Sequence, residues 1–178
     1  MLRRILLSTL FLATAMSSSA WADPTPDAVA NMINNAGEQI GTVELFSGPA
    51  GTLLRLDVRD LAPGPKAIHL HAVGTCDDHD HGFTDSGGHI NPDGNEHGLL
   101  NPDGPGAGDL PNFRVDEFGY AWAEFFTSLA SLDGSVGAHI LDEDGAAIVI
   151  HENPDDHMSQ PIGGAGDRIA CGVIEASD

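Results

Sequence analysis

The chain has 178 residues, 41% of them hydrophobic, and carries seven basic against 27 acidic residues for a formal charge of −20 at pH 7. A balance this acidic repels polyanions and anionic lipid surfaces, which excludes nucleic acid and a charged membrane face as partners. The length suits a single domain that buries a core of its own.

Residues 1–22 read as a secretory signal peptide, with Arg3 and Arg4 ahead of an apolar stretch over 5–16 and a small-x-small site at Ala20-Trp21-Ala22. The apolar stretch is too short to span a bilayer, and no later segment approaches the roughly 20 apolar residues a spanning helix needs. Residues 23–178 are therefore expected as one exported domain, periplasmic or secreted, with no membrane contact after signal removal. Losing Arg3 and Arg4 leaves five basic against 27 acidic residues, a formal charge of −22.

Residues 27–35 fit a short helix and a strand equally well, because Ala28, Val29, Met32 and Ile33 satisfy either period. Strands are predicted over 41–46, 52–58, 66–71, 120–126, 136–141, 146–150 and 169–174, each bounded by Gly, Pro, Asn or Asp. No long segment keeps a helical period. Short strands at this spacing predict an all-β antiparallel sandwich or barrel.

The chemistry concentrates in 67–113, which holds six of the nine histidines. His69 and His71 share one face of a strand and form a chelating pair. His89 and His97 follow in a turn-rich loop that can fold back toward that pair. Imidazoles converging from a strand and a loop point to a transition metal over calcium or magnesium. Cys76 and Cys171 are the only cysteines, and an even count in an exported chain predicts a disulfide, with buried thiols or soft copper ligands as the alternative. In the chain-entropy model a loop that long adds about 4–5 kcal/mol of stability.

Five separated motifs, IHLHAVGTC, GGHINPDGNEHG, AGDLPN, IVIHENPDD and GGAGDRIACGVIE, together resemble the copper/zinc superoxide dismutases, most closely the exported bacterial branch. The resemblance implies a Greek-key sandwich of about eight strands with long metal-binding loops, an architecture that family shares with immunoglobulin-type domains. It implies copper on His69, His71, His89 and His151, with His89 bridging to a zinc held also by His97 and Asp109. Asp155 matches a carboxylate that orients a histidine of each metal site, Arg168 the arginine beside copper, and Cys76 with Cys171 the family disulfide. The implied substrate is superoxide, turned over by copper redox cycling with Arg168 and His89 as catalytic groups, in a monomer or a homodimer.

One position departs from the pattern. The family's remaining zinc ligand falls at Gly106, which has no side chain to donate, so zinc binding is expected to be weakened. His79, His81 and Asp103 are candidate substitutes, although a solvated acidic loop is the plainer reading of DDHDHG. A dismutase-like protein that binds or sequesters copper with little turnover is the alternative function. His139 reads as a packed or surface residue, His157 and Met158 as loop decoration, and 142–145 as an acidic turn. Trp122, Phe125 and Phe126 read as core packing or a subunit contact.

Overall fold

A computed structural model describes residues 24–177 of the chain, so the signal segment assigned to 1–22 lies outside the described residues. In chain order the strands are β1 (Ala28–Asn34), β2 (Gln39–Gly48), β3 (Gly51–Val58), β4 (Gly64–Lys66), β5 (Ile68–His71), β6 (Phe113–Val115), β7 (Ala121–Thr127), β8 (Ala130–Ser131), β9 (Ala138–His139), β10 (Ala147–His151) and β11 (Arg168–Ala176). The main sheet has seven strands in the order β5-β10-β11-β1-β2-β3-β7, antiparallel throughout. The chain is all-β, as expected.

A short ladder of β4 with β6 curls this sheet toward closure. Only Ala67 separates β4 from β5 at one end of the sheet, and β6 turns into β7 at the other through residues 116–120, where Asp116 N–H donates to Tyr120 O. Curling leaves the two end strands without a long open edge, the feature that templates aggregation in flat sheets.

Period-two alternation builds the core. Ala28, Ala30 and Met32 of β1, Val43 and Leu45 of β2, and Leu54, Leu56 and Val58 of β3 all point inward and are buried. Residues 27–35 are thus a strand and not a helix. Small alanines suit either period, and only pairing with β2 and β11 decided between them.

β10 is buried at every residue because both faces are covered. Ile148 and Ile150 face the barrel core, while Ala147 and Val149 face outward under Phe83, Cys76 and Cys171. The loop after β5 therefore packs over the outside of the sheet.

One expectation needs correction. The strand predicted over 136–141 shrinks to the two-residue bridge of β9 with β8, since Gly137 turns at φ +64° so close to Leu129 that a Cβ there would overlap Leu129 O. Of the two readings of the aromatic stretch, core packing explains Phe125, which is buried, and the subunit contact is what is left for Trp122 and Phe126, each 54% exposed on the outer face of β7.

Candidate metal centre

β5 carries His69 and His71 and pairs with β10, which ends at His151. The following loop folds back as expected, through isolated bridges of His71 with His89 and of His69 with Asp109. Backbone bonds from Leu70 N–H to Gly108 O and from Ile90 N–H to Leu70 O, both 2.9 Å, fasten it there. The result is a group of four histidines, His69, His71, His89 and His151, whose ring nitrogens lie within 4.8 Å of one another.

One nitrogen of each ring is held. His69 Nε2 lies 2.8 Å from Asp155 Oδ2, His71 Nδ1 2.9 Å from Gly87 O, His89 Nδ1 3.0 Å from Asp109 Oδ1 and His151 Nδ1 3.1 Å from Gly166 O. Each acceptor takes a hydrogen bond from the ring N–H, which leaves the lone pair on the opposite nitrogen. The opposite nitrogens, His69 Nδ1, His71 Nε2, His89 Nε2 and His151 Nε2, are all buried without a hydrogen-bond partner. An unsatisfied buried polar atom costs about 1–3 kcal/mol, so four of them facing one another fit a metal ion that accepts all four lone pairs.

Burial also keeps His69, His71 and His151 neutral, as ligands must be. It pushes His69 down to about 3 and His151 to about 4, and holds His71 well below the ordinary imidazole value.

A second group adjoins the first. Asp109 Oδ1 accepts from His89 Nδ1 at 3.0 Å and from His97 Nδ1 at 2.8 Å, while Asp109 Oδ2 accepts from the backbone N–H of Gly98 and Gly106. His89, His97 and Asp109 lie within 4.8 Å of one another, so His89 presents one nitrogen to each group. Two imidazoles and a carboxylate suit zinc.

Asp155 stands behind both groups. Its Oδ2 lies 2.8 Å from His69 Nε2 and 2.9 Å from His97 Nε2, the latter an ion-pair contact off the line of a hydrogen bond. Burial alone would lower His97, but the Asp109 and Asp155 carboxylates outweigh it and raise the ring to about 9. Burial opposes ionisation of both carboxylates, yet the imidazoles hold each well below the usual carboxylate range.

These shifts set the stability profile of the metal-free protein. His69, His71 and His151 stay neutral when folded but take protons near 6.5 when unfolded, so stability falls as pH drops from about 6.5 toward 4. His97 contributes fully below its unfolded value of 6.5, and that contribution is lost as pH rises through about 9. Chelator-treated protein is expected to melt at its highest temperature near neutrality and earlier at pH 4.5 and pH 9.5. A melting temperature that climbs steadily to pH 9.5 would remove the His97 ion pairs from this account.

Three supporting residues escaped the sequence reading. Asn112 clamps the backbone of Asp155, its Oδ1 accepting from Asp155 N–H and its Nδ2 donating to Asp155 O, both 2.8 Å. Gln160 does the same for His97, accepting from His97 N–H at 3.0 Å and donating to His97 O at 2.8 Å. Gly163, at φ +61°, lies so close to Asp155 that a Cβ there would overlap Oδ1. Only tertiary contact marks these residues.

The family pattern described as copper/zinc superoxide dismutase matches residues 39–174. The chain belongs to the copper/zinc superoxide dismutase family. It is 47% identical over 141 residues to a Caulobacter vibrioides superoxide dismutase [Cu-Zn], covering 78% of this chain and 80% of that protein. It is 42% identical to one from Aquifex aeolicus, covering 82% of this chain and 86% of that protein. A mutant form of a superoxide dismutase-like protein from Bacillus subtilis superposes with a TM-score of 0.77 at 37% identity, covering 82% of this chain and 95% of that one. By this membership the protein is a superoxide dismutase, a copper-dependent oxidoreductase with copper and zinc as cofactors, and its histidine groups could hold both metals.

The dismutase fold places Arg168 opposite His151 in the β10–β11 ladder. Its guanidinium donates to Phe83 O at 2.6 Å, Ser86 Oγ at 3.0 Å and Gly87 O at 2.8 Å. Gly87 O also holds His71, so one loop orients a histidine and the arginine together. That loop is tied down by the Cys76–Cys171 disulfide, with Cα atoms 5.8 Å apart, and by fully buried Phe83.

Other candidates stay outside both groups. His79 Nδ1 lies 3.2 Å from Asn35 O, and His81 is exposed with Nδ1 2.8 Å from Asp80 Oδ1, so neither lies in the group of His89, His97 and Asp109. Asp103 and His139 are exposed. His157 is half-buried, its Nε2 3.2 Å from Asn112 Nδ2.

Proposed function

We propose that His69, His71, His89 and His151 hold copper, that His89, His97 and Asp109 hold zinc, and that residues 23–178 form an exported, periplasmic or secreted superoxide dismutase whose signal peptide is residues 1–22. The observation that carries the reading is the set of four buried ring nitrogens without partners, facing one another. Copper, when bound, supplies a one-electron couple that oxidises one superoxide to oxygen and reduces a second to hydrogen peroxide with two protons.

The chain supplies the rest. Arg168 is a fixed cation for a small anion, charged at every relevant pH. Asp155 holds His69 Nε2–H and so keeps His69 Nδ1 free as a donor. His89 joins the two groups and is placed to carry a proton at Nε2 to the forming peroxide. With Gly106 in the remaining ligand position, zinc is held by three protein donors and less tightly than by four.

Elemental analysis of the mature protein, paired with superoxide dismutation before and after copper loading, tests this. One copper per chain with fast turnover is expected. Copper bound without turnover would favour the second reading, a copper-binding or sequestering protein, for which Gly106 and the likeness to the Bacillus subtilis dismutase-like protein speak.

Long-range charge opposes the substrate. Apart from Arg168 the mature chain has four basic residues, of which Arg55 is paired with Glu44 and Glu124 and Lys66 donates to Glu152 O. Raising ionic strength from 0.01 to 0.15 M shortens the Debye length from about 30 to about 8 Å. The second-order rate constant is expected to rise or stay level across that range. A steep fall would show that attraction, not repulsion, governs encounter.

A further inference from the structure

The zinc-side group supplies three donors where a structural zinc site has four, and a site with three protein ligands keeps a position open to water or an added ligand. Gly106 marks that position. Its N–H donates to Asp109 Oδ2 at 2.9 Å, and a Cβ built on it would meet nothing nearer than Asn91 Cγ at 3.4 Å and Asp109 Oδ2 at 3.6 Å. Neighbouring Gly108 is the contrast, because a Cβ there would sit 2.3 Å from Leu70 O. Close packing demands glycine at 108 and does not demand it at 106.

Beyond Gly106 lies a cavity of about 440 Å³ whose walls include Asn91, Asn95, Gln160 and Arg168. The side chains that could close the gap are engaged elsewhere. Asn91 donates to Asn95 O at 2.7 Å and accepts from Asn95 N–H at 3.1 Å. Gln160 spends both ends of its carboxamide on the His97 backbone. Asn95 Nδ2 donates to Pro105 O at 3.0 Å, and the Arg168 guanidinium is bound to the 83–87 loop.

We propose that the zinc side of this centre has an exchangeable fourth coordination position, opening into that cavity, which takes a neutral nitrogen donor of the imidazole class from solution. The proposal rests on the zinc assignment above. Asn91, Asn95 and Gln160 line the cavity with uncharged carboxamides, its one arginine, Arg168, is bound to the 83–87 loop, and the chain is strongly negative, which together favour a neutral donor over an anion.

The test uses the mature protein loaded anaerobically with Cu(I), which has no visible absorption, and then with Co(II), whose visible bands report its ligands. Imidazole is titrated in, and azide separately. A saturable, reversible change of the cobalt bands with imidazole, and little with azide, is expected. Gly106→His is expected to bind cobalt more tightly by at least the roughly 10-fold that an outer partner of a metal ligand commands, and to lose the imidazole response. Cobalt bands indifferent to imidazole in the unmodified protein overturn the proposal alone. A response to azide only overturns the neutral-donor class. Failure of a copper-loaded protein to take up cobalt overturns the proposal together with the zinc assignment.

Discussion

Asp155→Asn is expected to weaken metal binding at both histidine groups by about 10- to 100-fold and to destabilise the metal-free protein by about 1–3 kcal/mol. The carboxylate is acceptor-only and uses both oxygens. Oδ2 faces His69 Nε2 and His97 Nε2, and Oδ1 accepts from His157 N–H at 2.6 Å. A carboxamide has one oxygen and one NH2, so either orientation sets a donor against a donor. Turned one way it opposes the two histidines, and turned the other it opposes His157 N–H. Loss at both sites follows because His69 belongs to the four-histidine group and His97 to the Asp109 group. Copper and cobalt titrations of the variant against the parent would measure it. A variant that loses affinity at one site only would show that one of the two contacts does not orient its ring.

Arg168→Gln is expected to lower the second-order rate of dismutation by about 10- to 100-fold with copper content unchanged. Arg168 is a half-buried cation on the wall shared with His89 and in register with His151. In a chain this acidic its removal leaves mainly repulsion for an incoming anion, so the variant's rate is expected to rise more steeply with salt than the parent's. Arg168→Lys should recover part of the rate. It restores charge but not the planar fork that reaches Phe83 O, Ser86 Oγ and Gly87 O. Rapid-mixing measurements across ionic strength would separate charge from geometry. A glutamine variant within twofold of the parent would remove Arg168 from substrate encounter.

Much of the fold was legible because alternation survives in the sequence wherever one face is buried, as in β2, β3 and β7. It was illegible in β1, where alanines suit two periods, and in β4 and β6, whose three residues are too few to show any. The 136–141 segment misled for the opposite reason. Its apolar residues serve a turn packed against Leu129, and the ladder with β8 covers only Ala138 and His139 before Ile140 N–H and Leu141 N–H donate to Ser131 O and Leu132 O.

The candidate site divides along the same line. Residue type and spacing along the chain singled out His69, His71, His89 and His97, because metal ligands announce themselves by chemistry, whereas Asp109, His151, Asp155, Arg168 and the gap at Gly106 were legible only through the resemblance of their motifs to the dismutase family. Nothing in the sequence says which ring nitrogen faces the ion, since that depends on which acceptor lies behind each ring, and those acceptors are Gly87 O, Gly166 O, Asp109 and Asp155 from distant segments. Asn112, Gln160 and Gly163 were silent for the same reason. A carboxamide or a glycine has no distinctive chemistry of its own, and it becomes part of a metal centre only when folding sets it within hydrogen-bond or van der Waals reach of a ligand.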